Sequence, residues 1–145
     1  MGSVKIVSEE VYVPDSTVVV NGVLRRLVSE GRFSGRFVVC RELVEYFEKL
    51  ASEGNILGFI GLEELRIVRS LCSKYGVEVD NVSMNKKFDN IDLAIMEFTH
   101  ELGGILITSS KAQALAAEVL GIKVYLVTPT PTTSLTLEKF FDKDT

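Results

Sequence analysis

Residues 11–17 read VYVPDST, an apolar run that ends at the acid Asp15. The stretch that follows, VVVNGVLRRLVSEG over residues 18–31, has the apolar spacing of an amphipathic helix. Parallel α/β folds commonly present a metal ligand or a catalytic carboxylate at the carboxyl end of a buried strand, just ahead of a helix. Asp15 is therefore the first candidate site residue, and the remaining acids determine what it can do.

The composition bounds the size and class of the protein. The chain has 145 residues, of which 46% are hydrophobic and 25% charged, as expected for one compact domain with a core. The net charge of -4 gives no global attraction to nucleic acid, so binding of that kind would need a local basic patch. No apolar run approaches the roughly 20 residues that span a bilayer, and no secretory signal pattern is present, so we expect a cytoplasmic protein without a membrane partner.

Short apolar runs alternate with helical patterns along the chain. The spacing predicts strands at 11–14, 36–40, 77–79, 104–108 and 122–127, and helices at 16–30, at 42–53, beyond Gly58, at 91–102 and at 111–120. Strands that alternate with helices predict an α/β fold with a five-stranded parallel sheet and helices on both faces. Cys40 and Cys72 occupy apolar positions, and we interpret both as packing residues rather than disulfide or zinc residues.

The end of the chain differs in composition from the rest. Residues 128–134 read TPTPTTS, which is typical of a linker, and residues 135–145 return to mixed apolar and charged residues with Phe140 and Phe141 adjacent. We therefore predict a domain over residues 1–127 and a Pro/Thr linker and connector over residues 128–145. The connector either folds back on the domain or continues into a domain absent from this chain.

Three blocks of sequence carry a family resemblance. They are VPDSTVVVNG, FVVCRELVEYFEKLASEGNILGFIGLEELRIVRSL and NIDLAIMEFTHELGGILITSSKAQALAAEVLGIKV. In order and spacing the blocks resemble a PIN domain over nearly the whole chain, and most closely the amino-terminal PIN domain of archaeal PilT-type ATPases, hexameric motors with a KH-like segment. The resemblance implies a three-layer PIN-like fold with the sheet order 3-2-1-4-5, and implies that residues 128–145 lead toward a missing ATPase domain.

PIN domains are typically nucleases that use Mg²⁺ or Mn²⁺ held by several converging acids, because these ions prefer hard oxygen ligands. Carried over by position, Asp15 and Asp92 match family acids and are the expected metal ligands. Tyr46 and Ser110 replace two others. Two carboxylates supply a charge of only about −2, too little to hold a pair of divalent ions. We therefore expect a degenerate cleft with weak or absent Mg²⁺ or Mn²⁺ binding.

Two further acids can repair such a cleft. Glu42 lies four residues before Tyr46, on the same helical face and one turn nearer the strand end, and Asp89 can approach from the loop before Asp92. Ordinary structural interpretations stay open as well. Asp15 is a favoured helix cap, Asp92 sits in a first helical turn where acids are stabilised, and Ser110 is a natural cap.

Basic residues offer a candidate nucleic-acid surface. If Lys86, Lys87 and Lys111 border the cleft, they can hold a phosphate backbone without reading bases. The alternative is that they are simply solvated. No array of stacking aromatic residues accompanies them, so base-specific recognition is not predicted.

The glycine-rich apolar stretch at residues 54–62, GNILGFIGL, is a candidate interface at a predicted loop-to-helix junction. It favours either self-association into a homo-oligomer or burial in which Phe59 and Leu62 seal the core.

We expect a nuclease-inactive PIN-like domain that serves as an assembly or nucleic-acid-docking module of a hexameric ATPase. Its expected partners are its own ATPase domain, further copies of itself, and DNA or RNA with the proteins of recombination or repair. Branched DNA is one substrate that the resemblance implies. The rival hypotheses are an active Mg²⁺- or Mn²⁺-dependent endonuclease acting on RNA and a purely protein-binding adaptor. No G-x-x-x-x-G-K-[ST] nucleotide loop occurs in this chain.

Overall fold

A computed structural model describes residues 10–31, 33 and 35–128 of the chain. Five strands alternate with six helices in this part. The strands are β1 (Val11–Pro14), β2 (Arg36–Cys40), β3 (Val79–Val82), β4 (Ile105–Thr108) and β5 (Lys123–Leu126). The helices are α1 (Ser16–Val20), α2 (Val23–Ser29), α3 (Arg41–Ser52), α4 (Ile56–Tyr75), α5 (Ile91–Leu102) and α6 (Lys111–Val119).

All five strands form one parallel sheet in the order β3-β2-β1-β4-β5, which confirms the predicted α/β class and strand order. In the central strand β1 the consecutive residues Tyr12 and Val13 point to opposite faces of the sheet, and both are buried. A strand that is apolar on both faces needs cover on both sides, which the helical crossovers supply. The carboxyl ends of β1, β2, β3 and β4 share one edge of the sheet, where polar side chains meet.

The structure corrects two predicted elements. The single helix predicted over 16–30 is divided into α1 and α2 at Asn21 and Gly22, because Gly22 has a φ of 78°, in the left-handed region that interrupts an α-helix. The third strand lies at Val79–Val82 rather than 77–79. After Gly76, the N–H of Val77 instead donates to the carbonyl of Cys72 and closes the end of α4.

The stretch at 54–62 is also placed differently from the prediction, since α4 already begins at Ile56 and most of the stretch is helical. Gly58 and Gly61 face α3. A Cβ at Gly58 would lie 2.3 Å from the backbone nitrogen of Ala51, and one at Gly61 would lie 2.4 Å from the ring of Phe47. The glycines therefore permit close packing of the two helices, and the apolar side chains between them point away from that contact.

The predicted connector at 128–145 lies outside the described residues apart from Thr128, so the division at 127 stays a prediction. Among the described residues, none of the helices combines the length and apolar character needed to cross a bilayer.

Candidate functional site

Asp15 caps helix α1 from the end of strand β1. Its Oδ1 accepts hydrogen bonds from the backbone N–H groups of Thr17 (3.0 Å) and Val18 (3.3 Å) and from the hydroxyl of Thr17 (2.7 Å). The capping interpretation of Asp15 is thus satisfied by one of its two oxygens. The site interpretation depends on the other oxygen.

The second oxygen of Asp15, Oδ2, is buried and has no hydrogen-bond partner in the described part of the chain, where the whole residue is 0% exposed. Burial and then the nearby charge of Asp92 raise the pKa of Asp15 to about 6, although the hydroxyls of Thr108 and Thr17 act in the opposite direction. Asp15 is therefore an acid whose ionised form the fold disfavours.

Asp92 lies in the first turn of α5, and both of its carboxylate oxygens are engaged. Oδ1 accepts from the backbone N–H of Ser16 at 2.8 Å, and Oδ2 accepts from the hydroxyl of Ser16 at 2.7 Å. The side-chain amide of Gln113 donates to the backbone carbonyl of Asp92 at 2.7 Å. These contacts join α1, α5 and α6 around Asp15, so Asp92 contributes to the architecture as well as to the charge of the site.

Glu42 lies in the first turn of α3 and is likewise engaged. Its Oε1 accepts from the N–H of Met84 at 2.9 Å, and its Oε2 accepts from the hydroxyl of Ser83 at 2.8 Å. Burial opposes the ionisation of Glu42, but these two donors outweigh it and hold the pKa of the carboxyl below its usual range. Glu42 thus fastens the segment after β3 instead of presenting two free oxygens.

Tyr46 and Asp89, the other candidates on this side, line one groove of about 400 Å³ between α3 and the start of α5. Tyr46 is half-buried and packs against the core, with its ring centroid 5.6 Å from that of Phe47. Asp89 is exposed. An aromatic ring therefore occupies the position where the resemblance implies an acid.

Ser110 is the cap of α6, as its capping interpretation anticipates. Its Oγ accepts from the N–H of Gln113 at 3.1 Å, and its own N–H donates to the hydroxyl of Thr108 at 3.0 Å. The hydroxyl of Thr108 lies 3.2 Å from that of Thr17, which also accepts from the N–H of Ser109 at 2.8 Å. A chain of hydroxyl contacts thus runs beside Asp15 at the position of a family acid.

Sequence reasoning missed four residues that build this site: Ser16, Thr17, Thr108 and Gln113. Ser16 and Thr17 directly follow Asp15, and their position was interpreted only as part of a helix cap. Gln113 lies far from Asp15 in the sequence, so no local pattern predicted that it contributes to the site.

Known proteins resemble the chain in sequence over most of its length. No protein-family model matches the chain. A KH and PIN-domain containing protein from Methanocaldococcus jannaschii is 28% identical over 90% of this chain and 22% of its own length. The Holliday junction branch migration ATPase PINA from Sulfolobus acidocaldarius is 24% identical over 91% of this chain and 26% of its own length.

Solved structures agree with these sequence matches. A domain of a functionally unknown protein from M. jannaschii superposes with a TM-score of 0.76 and 25% identity, over 83% of this chain and 93% of that one. The PilT N-terminus domain protein of Sulfolobus solfataricus shares the fold, with a TM-score of 0.50 and 18% identity over 80% of this chain and 86% of its own. The chain is similar to proteins that carry a PIN domain, and it shares its fold with a PilT N-terminus domain. It spans about a quarter of the length of the curated relatives it matches.

The described part of this PIN-like domain brings together fewer acids than a pair of divalent ions needs. Within residues 10–31, 33 and 35–128, no group of three or more His, Cys, Asp or Glu side chains is arranged to hold a metal ion. Of the four oxygens of Asp15 and Asp92, only Oδ2 of Asp15 has no hydrogen-bond donor in that part of the chain. Mg²⁺ and Mn²⁺ sites of the two-metal kind need several carboxylates that converge on the ions.

The three predicted basic residues of this PIN-like domain differ in their surroundings. Lys86 lies 3.6 Å from carboxylate oxygens of both Glu97 and Glu101 on α5. Lys87 and Lys111 are exposed, and Lys111 is the first residue of α6. The charge of Lys86 is thus partly neutralised, which leaves Lys87 and Lys111 as the stronger candidates for phosphate contact.

The raised pKa of Asp15 predicts a stability that depends on pH. The folded protein holds this proton more tightly than the unfolded chain, so stability falls as the pH rises from about 4 to about 6, and the cost is complete above that range. Asp15→Asn retains a capping oxygen and removes the buried charge. We expect the variant to be more stable than the wild type by about 1 to 3 kcal/mol at pH 7 and to lose that advantage at pH 4.

Urea unfolding at the two pH values measures this difference. The matched control is Asp89→Asn, which removes an exposed carboxylate and should change stability by less than about 0.5 kcal/mol. A variant at Asp15 that is less stable than the wild type at pH 7 would contradict the electrostatic account of the site.

Proposed function

We propose that this PIN domain is nuclease-inactive and serves as an assembly or nucleic-acid-docking module of a longer ATPase that works on DNA or RNA. The observation that carries the proposal is that the acids of the site accept hydrogen bonds from the fold itself. Both oxygens of Asp92 accept hydrogen bonds from Ser16, and both oxygens of Glu42 accept from Met84, with Ser83 as a further donor to one of them. Acids held in this way stabilise the fold with fixed orientations and have fewer lone pairs left for a metal ion.

A catalytic site that needed Asp92 or Glu42 to turn toward two ions would break some of these contacts. A hydrogen bond to a charged group contributes about 1.5 to 3 kcal/mol, and Ser16 makes two of them to Asp92. Metal binding would have to replace that stabilisation. It would also have to do so without acids at positions 46 and 110, where Tyr46 packs on the core and Ser110 caps α6.

The wider context of the proposal comes from the relatives. One of them is named as a Holliday junction branch migration ATPase and the other as a protein with a KH and a PIN domain, and each is several times longer than this chain. By analogy, the partners of this domain are an ATPase domain of the same polypeptide and further copies of the chain. Branched DNA, with the proteins that process it, is the corresponding substrate. Cytoplasmic location is part of the same hypothesis.

An apolar surface on α4 supports the assembly role. Ile56 is 68% exposed and Phe59 is 59% exposed, and Leu57 and Ile60 extend the same surface over the first turns of the helix. Phe59 therefore does not seal the core, whereas Leu62 packs against it. A contiguous apolar patch of this kind is typical of an interface.

Docking to nucleic acid is the second candidate, favoured by the exposure of Lys87 and Lys111. Contacts from isolated lysines to phosphates would give binding that is weak, independent of sequence and strongly reduced by salt.

We expect no cleavage of labelled single-stranded RNA or DNA in the presence of Mn²⁺, because the cleft cannot hold two ions. Gel analysis of wild-type protein beside an identically purified Asp15→Asn variant makes the measurement. Cleavage by the wild type that is lost in the variant would establish the rival metal-dependent nuclease. Cleavage retained in both would indicate a contaminating nuclease instead.

The role of the α4 surface predicts that Phe59→Ser lowers the molecular mass measured by light scattering by half or more, because the substitution removes the central apolar contact between copies. The matched control is Leu115→Ser on α6, where an equally apolar side chain is exposed and the mass should not change. A wild-type chain that is monomeric at all concentrations would exclude self-association through α4 and would favour the adaptor hypothesis.

A further inference from the structure

The groove of about 400 Å³ between α3 and the start of α5, called the α3 groove below, has a largely apolar lining. Its apolar residues are Tyr46, Leu50, Phe88 and Ile91. Tyr46 and Leu50 are partly buried and pack against the core, whereas Phe88 is 36% exposed. Two aromatic rings that line one groove provide a preformed surface for an apolar or planar group.

The charged residues of the α3 groove are mainly acidic. They are Glu45, Lys49, Glu53 and Asp89, and all four are exposed. None of the four makes a salt bridge to another residue of the described part of the chain. Three carboxylates and one ammonium leave a net charge of about -2 at neutral pH. The α3 groove is therefore complementary to a ligand that carries both apolar groups and positive charge.

The spacing of two of these acids indicates the length of the ligand. Glu45 and Glu53 are eight positions apart along α3 and its C-terminal cap, which corresponds to about 12 Å at a rise of 1.5 Å per residue. An extended peptide advances about 3.3 Å per residue and places positions i, i+2 and i+4 on one face. Its positions i and i+4 are then about 13 Å apart, which matches the two acids.

We propose that the α3 groove binds an extended segment of another protein that has arginine at positions i and i+4 and an apolar side chain at i+2. The two arginines pair with Glu45 and Glu53, and the apolar side chain between them packs on Phe88. Arginine suits this groove better than lysine does. Its planar guanidinium binds carboxylates in a fixed geometry and also stacks on aromatic rings.

Nucleic acid is less complementary to the α3 groove than such a peptide is. A base can stack on an exposed ring, but its phosphates would lie beside three carboxylates, with only Lys49 to offset them. Lys87 and Lys111, the candidate phosphate contacts, do not line this groove. A peptide ligand goes beyond the role proposed above, and it depends neither on nuclease inactivity nor on self-association through α4.

Fluorescence polarisation on the full chain tests the proposal. The probe is the labelled peptide Gly-Arg-Ser-Leu-Ser-Arg-Gly, and the reference peptide has glutamate in place of both arginines. We expect only the arginine peptide to bind. Glu45→Gln and Glu53→Gln each remove one exposed charge, and each should weaken binding about twofold to fivefold, because exposed ion pairs contribute modestly.

The matched control is Glu48→Gln, since Glu48 is an exposed glutamate of α3 that does not line this groove. We expect it to leave the affinity unchanged. Phe88→Ala removes the exposed ring and should weaken binding of the arginine peptide. Urea unfolding checks that each variant is folded, as expected for substitutions of exposed side chains.

Several results would overturn the proposal. Absence of binding, or equal weakening by Glu48→Gln, would show that the α3 groove does not recognise the arginine spacing. Displacement of the peptide by single-stranded oligodeoxythymidine, whose own binding is weakened by Phe88→Ala, would make nucleic acid the occupant. A lower molecular mass in light scattering for Glu45→Gln or Glu53→Gln would make a second copy the occupant. None of these results would alter the outcome of the cleavage assay, so the two proposals fail separately.

Discussion

The two hydrogen bonds from Ser16 to Asp92 determine what this site can be. They connect the first residue of α1 with the first turn of α5, across 76 positions of sequence, and both oxygens of Asp92 are used in making them. Asp15 lies directly before Ser16, so its charge is held close to that of Asp92 in a buried position. Burial, and then the nearby charge of Asp92, disfavour ionisation of Asp15. The same contacts fix the orientation of Asp92.

Local pattern and family resemblance together predicted most of the fold. Strand β1 and the strand at 36–40 were placed as observed, because each is a short apolar run with clear boundaries in the sequence. The strand order came from the resemblance. The break between α1 and α2 was missed because apolar periodicity continues across the Asn21-Gly22 turn. Strand β3 was misplaced because an edge strand does not need apolar residues throughout, and its centre carries Asp80 and Asn81.

The site was less accessible to sequence reasoning than the fold. Position alone indicated Asp15, Asp92 and Glu42, but not whether their oxygens were free or engaged. That property depends on donors remote in sequence, such as the N–H of Met84 for Glu42. A family pattern can predict that two acids lie close together. It cannot predict which hydrogen bonds their oxygens accept, because the positions of the donors depend on the folded backbone.

Anomalous scattering from crystals soaked in Mn²⁺ would locate any ions bound at this site without requiring activity. We expect no bridged pair of manganese ions at the carboxyl edge of the sheet, because Asp15 and Asp92 supply too few carboxylates and Asp92 is held in place by Ser16. Two ions about 4 Å apart, held by Asp15 and Asp92 with Glu42 or Asp89 rearranged as further ligands, would contradict it.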